Sequence, residues 1–520
     1  MRSEAQSGSA SHELRFSRED VESFAAASGD HNPLHLEVGF ARHTPFGACV
    51  VHGALVAIGM LGSLAPEQLA RSRALRVRFS GPVMPGTSCT VQVRPSRRTP
   101  GACEVTLSAR GKVLARVVAS PDRELVSNRP HAAVSGASVA SAPAAELQMR
   151  LTPAEPAPDD LLPGLSILGG YHAGPELALL ASRYGAERLA PSLLEGLAWA
   201  SYVVGMELPG LHSLLAGITL AASASRSGAA RHSITVREHD PRTGQLVLDG
   251  RLSDRSGARV SEGTIECFAL SPVSAPDPGA LGVKGPLAPD RGSVVVIGGS
   301  RGFGAALTLA LLARGYRVHA AYSSSSDSAE ELVGLAGRHR ARLALHQLDA
   351  RDPGALGGLV RTLSDEGPLA GVVLGAAPPP LSMGLTSESG SELADYVAES
   401  LRLAAVPLGA LLPLLGAEAW ILFCSSSAIL APPRDWPHYV TAKTALEGLA
   451  RWVGATAPAA RTVVLRPPAM RTELTNTPSG RLAAVPTEPI AAWIADRLVG
   501  GELAPGCTVL EPDLVTELGT

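Results

Sequence analysis

Hydrophobic and polar positions recur with two different periods along the 520-residue chain, and the change of period divides it into three blocks. In the first block, Phe16, Val21, Phe24 and Ala25 follow helical spacing, with Ser17 as the predicted N-cap and Glu19 and Asp20 in the first turn. A polar loop, SGDHNPLHLE, separates this helix from a long apolar one predicted over residues 51–64. The alternating segments ALRVRFSGPV, TSCTVQVRP, ACEVTLSAR and KVLARVVAS then read as strands. The second block repeats this plan weakly. SLLEGLAWASYVVGM mirrors the apolar helix, and HSLLAGITLAAS, RHSITVREHD, GQLVLDGRLSD and ARVSEGTIECFAL read as its strands. In the third block, apolar strands (SVVVIGG, YRVHAAY, LALHQLD, GVVLGAA, AWILFCSSS, RTVVLRP) alternate with helical stretches, the pattern of a parallel sheet covered on both faces.

A long helix wrapped by a short-turned antiparallel sheet is the hot-dog arrangement. The expected fold is therefore an α+β double hot-dog, its two sheets joined into one to remove an exposed edge, followed by an α/β, Rossmann-like, doubly wound parallel sheet. The expected domains are residues 12–126, 161–270 and 292–520, consistent with a chain too long for one ordinary core. Residues 127–160 (Ala, Ser and Pro) and 271–291 (Pro and Gly without hydrophobic period) read as extended connections.

Composition narrows the function classes. The net charge is −3 and no long basic run offsets it, which argues against broad attraction to nucleic acid or an anionic membrane. The six cysteines are spread singly without a CxxC pair, so neither a zinc site nor a disulfide framework is expected, as suits a reducing cytoplasm. The first residues lack the apolar core of a signal peptide, and no apolar run approaches the ~18 residues of a membrane helix. The expectation is a cytoplasmic protein with no metal, nucleic-acid or membrane partner.

The third block carries recognisable chemistry. VVVIGGSRGFGAALTLALLARG runs strand, glycine turn, helix. Gly298, Gly302 and Gly304 permit a tight turn and close approach of a phosphate to the N–H groups of the next helix. In HYVTAK, Tyr439 and Lys443 stand four apart, on one helix face, where the ammonium favours phenolate and makes Tyr439 a usable proton donor to a carbonyl. Ser426 follows the apolar strand AWILFC, and its hydroxyl can bind the same carbonyl oxygen.

These elements, in this order and spacing, resemble the short-chain dehydrogenase/reductase family. The resemblance implies that Ser426 and Tyr439 polarise a carbonyl or carbinol while Lys443 holds the ribose and tunes Tyr439. It places Asp349 of LDARD at adenine and Thr472 of RPPAMRT near the nicotinamide carboxamide. Gly298, Ser300, Arg301, Gly302, Gly304, Ala376, Tyr439 and Lys443 complete the implied cofactor set. The chain departs from the family where Ser400 replaces the usual catalytic-helix Asn, where LGAA (Leu374 to Ala377) replaces NNAG, and at Pro468. Loss of the Asn weakens the implied proton relay unless Ser400 holds a water in its place. The second strand ends in AAYSSSSDS, with Tyr322 and serines where an NAD site usually carries an acid. Arg301 either pairs with a 2′-phosphate or faces solvent. Tyr322 with its serines, and Arg301 in the first of those roles, favour NADPH.

The first block carries a second constellation. Asp30 and His35 share a loop containing Pro33, and a carboxylate beside an imidazole suits adding or removing water next to a thioester. Gly53, opening the apolar helix, can offer its N–H and the helix dipole to an enolate-like oxygen. From the residues alone, Asp30 serves equally as a turn or cap residue and His35 as a buried polar group. FAAASGDHNPLHLEVGFARHTPFGACVVHGALV, however, closely resembles the MaoC-like, or (R)-specific enoyl hydratase, family. The resemblance implies acyl-thioester substrates and Asp30 and His35 as the catalytic dyad. It leaves His52 a structural role and finds Leu61 near the family's supporting Ser. The second block lacks the dyad, carries Glu195 in the place of His52, and reads as a degenerate half that completes the sheet and shapes an acyl tunnel. His172 and Glu176 are its one alternative pair.

The combined expectation is a homo-oligomeric, bifunctional ketoreductase/dehydratase using NADPH on acyl-carrier-protein or CoA thioesters in fatty-acid or polyketide assembly. Two competing readings are a β-oxidation-type hydratase/dehydrogenase and a non-catalytic acyl-carrier-binding scaffold.

Overall fold

The computed structural model describes residues 11–123, 125, 147–223, 228–457, 460–500 and 503–512. It forms two compact units, Met1–Pro272 and Val273–Thr520.

The first unit is built on one ten-stranded antiparallel sheet. Its strands are β1 (Ser11–Leu14), β2 (Ala74–Phe79), β3 (Cys89–Pro95), β4 (Cys103–Ala109), β5 (Lys112–Ser120), β6 (Ser166–Gly170), β7 (Ser213–Ala222), β8 (Ala229–Asp240), β9 (Gln245–Asp254) and β10 (Arg259–Ala269). Their order is β1-β3-β4-β5-β2-β7-β10-β9-β8-β6. Read outward from the central β2–β7 seam, both sides follow the same plan, so the weak repeat in the sequence is a structural repeat. The seam pairs Leu75 with Leu220 and Val77 with Ile218, all four buried, which ties the two halves through apolar cross-strand pairs.

Each half lays a long apolar helix, Gly53–Leu61 or Pro191–Tyr202, into a core shared by both halves. The helix predicted over 51–64 is shorter at each end, beginning at Gly53 because His52 turns its ring toward the polar loop rather than into a helical turn. The first helix, Arg18–Ser28, carries the predicted cap: the Ser17 side chain accepts from the Asp20 N–H, and the Asp20 carboxylate accepts from the Ser17 N–H at 2.7 Å.

The second unit is built on a seven-stranded parallel sheet. Its strands are β11 (Ser293–Ile297), β12 (Arg317–Tyr322), β13 (Leu343–Gln347), β14 (Leu369–Leu374), β15 (Leu415–Cys424), β16 (Arg461–Leu465) and β17 (Cys507–Leu510). Their order is β13-β12-β11-β14-β15-β16-β17. Helices cover both faces and bury two separate apolar layers, as expected for continuous apolar strands.

Three expectations need correction. The 271–291 segment is not a bare connection: Leu281 and Val283 are buried in the second unit's core, and His339 Nε2 donates to the Val283 carbonyl at 3.1 Å. Two apolar anchors among prolines suffice to dock it. Of the 127–160 connection, residues 127–146 lie outside the described residues, while Ala154 and Met206 share a backbone hydrogen bond of 2.9 Å. One apolar stretch does reach membrane-helix length: Gly390–Leu414, with mean hydropathy 1.4. Its buried residues Ala404, Leu408 and Leu411 pack into a core layer beneath it, which fits a crossover helix of the parallel sheet.

Candidate active sites

The loop after the first helix brings Asp30, His35 and His52 together. Asp30 is buried, and its carboxylate accepts from the Ser201 hydroxyl at 2.7 Å and from the Asn32 N–H at 3.2 Å. Asn32 caps the short Pro33–Leu36 turn of helix and donates its amide to the carbonyls of Gly205 (3.0 Å), Gly210 (3.2 Å) and Leu211 (3.2 Å). The loop is thus stitched to the second half of the sheet. Arg18 donates to the His35 carbonyl at 3.2 Å and also to the Leu36 carbonyl, closing it from the other side.

His35 Nδ1 lies 2.8 Å from the Val50 carbonyl. A carbonyl only accepts, so Nδ1 carries the proton and Nε2 is left bare as a base. Burial pushes the Asp30 carboxyl above its ordinary range and, in the opposite sense, pulls His35 below its own. Burial thus disfavours the charged form of both groups, while each group's charge favours that of the other. The helix starting at Gly53 directly follows His52, whose Nε2 donates to the Asp30 carbonyl at 3.1 Å. That places a helix N-terminus beside the dyad.

Asp30, His35 and His52 also bring one ligand atom each within 4.8 Å, the one such grouping among the described residues. The two imidazoles, however, are stacked with centroids 3.7 Å apart and 26° between planes. One nitrogen of each ring is already committed to a backbone carbonyl.

The supporting hydroxyl is Ser201, and sequence reasoning missed it. It comes from the second half, so that half does more than complete the sheet. The helix carrying Ser201 continues as a π-turn, Val203–Glu207, which sets Gly205 against the dyad. A Cβ on Gly205 would lie 2.0 Å from Asp30 Oδ1, so only glycine fits. Leu61, at the position expected for this serine, is buried in the core. His172 is exposed and Glu176 heads the Glu176–Arg183 helix. Glu195 accepts from the Gly228 N–H at 3.2 Å.

In the second unit, Tyr439 and Lys443 lie on the Pro437–Thr456 helix, with Lys443 Nζ 5.5 Å from the Tyr439 ring centroid. Lys443 donates to the Cys424 carbonyl at the end of β15, at 2.7 Å, two residues before Ser426. Ser426 accepts from the Ala428 N–H at 3.2 Å and caps a short turn. Tyr439, Lys443, Ser400 and Ala376 line a cavity of about 10 Å³ together with Tyr396. That leaves room for about one water, and the Ser400 hydroxyl itself donates to the Tyr396 carbonyl at 2.8 Å. Glu447, one turn beyond Lys443, was also missed: it accepts from Ser425 at 2.7 Å and forms a two-point pair with Arg466 at 2.8 and 2.7 Å, fixing this helix to the strand ends.

The glycine turn follows β11. Gly298 has φ +81° and lies against Ala376, and a Cβ on Gly304 would fall 1.9 Å from the Gly298 carbonyl oxygen. The turn therefore closes this tightly only because these positions are glycine. Thr472 Cγ2 comes within 3.3 Å of where a Gly302 Cβ would be, bringing the loop after β16 over the turn. Ser300 is buried, and Arg301 precedes the Gly302–Ala313 helix. Asp349 is engaged by Arg351 through paired contacts of 2.9 and 2.8 Å, and Arg351 also holds Glu399 at 2.6 Å. An adenine contact at Asp349 would have to share that carboxylate.

Comparison with known proteins fits this geometry. Residues 3–114 match the MaoC like domain family and residues 293–480 match the short chain dehydrogenase family. The chain thus carries a MaoC-like domain and a short-chain dehydrogenase domain. It is 39% identical over 82 residues to an (R)-specific enoyl-CoA hydratase of Aeromonas caviae, covering 15% of this chain and 61% of that protein. It is 35% identical over 66 residues to a peroxisomal hydratase-dehydrogenase-epimerase of Neurospora crassa, covering 13% of this chain and 7% of that one. The match thus spans less than two thirds of either relative. A short-chain dehydrogenase/reductase from Serratia marcescens is 22% identical, with a TM-score of 0.37, over 43% of this chain and 97% of that structure.

Proposed function

We propose that the chain reduces a 3-ketoacyl thioester with NADPH and dehydrates the 3-hydroxyacyl product to a 2-enoyl thioester, as a bifunctional enzyme of fatty-acid or polyketide assembly. The observation carrying this reading is the presence of two separate proton-transfer constellations in one chain, Asp30–His35 and Tyr439–Lys443. We read the ten-stranded sheet and its two apolar helices as a double hot-dog, with the dyad facing an acyl thioester of CoA or a carrier protein.

In dehydration, His35 Nε2 takes the C2 proton and the electron pair moves onto the thioester oxygen, held by the Gly53 N–H at the helix N-terminus. The pair then returns to form the C2–C3 double bond as the C3–O bond breaks. Asp30, whose carboxyl burial pushes above its ordinary range, gives a proton to the departing hydroxyl, which leaves as water. A proton passing from His35 to Asp30 restores the starting state.

In the reductase, Gly298, Gly302, Gly304 and Ser300 would hold the cofactor phosphates, Lys443 the ribose and Thr472 the carboxamide. The bound nicotinamide supplies the hydride. Tyr439 donates the proton to the carbonyl oxygen, Ser426 orients that oxygen, and Ser400 with a cavity water replenishes Tyr439. Oligomerisation through the reductase fits the Gly390–Leu411 helix, of which Ala404, Pro407, Leu408 and Leu411 are the buried residues. A cytoplasmic setting fits the six free thiols.

The same parts run in reverse as an enoyl-CoA hydratase and 3-hydroxyacyl-CoA dehydrogenase, a reading favoured by the likeness to a peroxisomal hydratase-dehydrogenase-epimerase. Cofactor choice separates the two. β12 ends at Tyr322 with serines following, and Arg301 stands at the glycine turn, so kcat/KM should favour NADPH. Losing one charge-assisted pair costs ~1.5–3 kcal/mol, so Arg301→Ala should narrow that preference at least several-fold. An equal or higher kcat/KM with NADH in the unaltered enzyme would support the oxidative reading.

A further inference from the structure

His52 is fully buried within the dehydratase site, yet the mechanism above gives it no step. Its ring lies flat against His35, with centroids 3.7 Å apart, and Phe24 covers it from another side at 5.0 Å. Its Nε2 donates to the Asp30 carbonyl at 3.1 Å and stands 4.0 Å from Asp30 Oδ2. Its Nδ1 is buried without a hydrogen-bond partner among the described residues.

We infer that His52 is a positioning residue for the dyad: it anchors the Asp30 backbone through Nε2–H and presents a neutral ring face on which His35 carries its transient positive charge. The inference rests on the reading of Asp30 and His35 as the catalytic pair. An Nε2 proton is required by the carbonyl it faces, so a second proton would have to go on Nδ1, which has no acceptor among the described residues. Burial accordingly holds His52 well below the ordinary histidine range. His35 becomes an imidazolium when it takes the C2 proton. A neutral aromatic face stabilises a cation stacked on it, whereas a charged one would repel it. The other ionisable groups facing this pair are Asp30, which favours the imidazolium, and His31. Arg18 is directed at the main-chain carbonyls of His35 and Leu36.

Two substitutions divide the two roles. His52→Gln keeps an N–H donor but removes the ring, and His52→Phe keeps the ring but removes the donor. In the full chain, dehydration of a 3-hydroxybutyryl thioester is followed against pH, with circular dichroism and thermal unfolding of each variant as the folding control. Activity rises through the pKa of His35, because the base must be free. His52→Gln should move that acidic limb to lower pH by about 0.5–1 unit, the size of a cation–π contribution. His52→Phe should leave the limb in place and lower kcat, with KM little changed. Equal limb shifts in both variants, or wild-type rate and limb in His52→Gln, would overturn the inference. If either variant does not fold, 15N-histidine NMR of the unaltered protein decides. His52 should remain an Nε2–H neutral tautomer throughout the pH range in which His35 titrates. Titration of His52 before His35 would contradict the platform role. Dehydration that survives Asp30→Asn and His35→Ala would instead sink the dyad reading itself.

Discussion

The two halves of the first unit follow one strand order about the β2–β7 seam, but they treat their polar groups differently. In the first half, Asp30, His35 and His52 are gathered at one point, each hydrogen-bonded with a defined direction. In the second, His232 is buried with neither ring nitrogen paired among the described residues, and Glu207 is taken up by the Tyr202 hydroxyl at 2.8 Å and by Arg150 at 3.1 Å. The second half has put its helix to another use, as the carrier of Ser201 and of the π-turn that seats Gly205 against Asp30. One half carries Asp30, His35 and His52, and the other supplies Ser201 and Gly205 against Asp30.

The comparison breaks most readily at the dyad. Asp30→Asn or His35→Ala should each slow dehydration by about 10²–10⁴, the usual size of a general acid–base contribution, with ketoreduction intact. The double variant should add little, because the two groups act as a unit. A smaller effect is expected from the supporting half. Ser201→Ala removes a hydrogen bond to a carboxylate, worth ~1.5–3 kcal/mol, and should cost dehydration roughly 10- to 100-fold in kcat. Wild-type turnover in a folded Ser201→Ala variant would return the second half to a passive role.

His232 sharpens the contrast through stability. Burial lowers it from 6.5 to about 4, so the folded state favours the neutral ring. That contribution is present above the unfolded pKa and is lost as pH falls through the folded one. Between pH 6.5 and 4 the unit should lose on the order of 3 kcal/mol from this residue alone. His232→Phe should flatten the fall of Tm across that window, and an unchanged slope would show the ring is not held neutral. The least effect is expected outside both networks: His172→Ala and Glu176→Gln should leave dehydration within about twofold, as for surface changes away from a site.

The sequence is legible where a function is local. Asp30 and His35 stand in one loop, Tyr439 and Lys443 on one helix turn, and the three glycines in one strand-to-helix turn, so spacing alone brings them together. Ser201 contacts Asp30 across 171 residues, and no period or motif in SLLEGLAWASYVVGM distinguishes that serine from others on an apolar helix. The π-turn is hidden for the same reason, inside the apolar run VVGM. Glu447 was open to detection, since it continues the Tyr439–Lys443 stripe at the same four-residue step. The Arg351 partner of Asp349 is only two residues away, but the chain's own side-chain geometry decides that contact, not the motif. The docked 273–291 segment shows how two apolar side chains outweigh a Pro- and Gly-rich composition.

Product analysis by mass spectrometry tests the central claim most directly. The full chain is incubated with a 3-ketoacyl thioester and NADPH. The unaltered enzyme should form the 2-enoyl thioester, Asp30→Asn should accumulate the 3-hydroxyacyl thioester, and Tyr439→Phe should leave the ketone unreduced. An enoyl product that persists at the wild-type ratio in folded Asp30→Asn, or reduction that persists in Tyr439→Phe, would contradict the assignment of consecutive steps to these two sites.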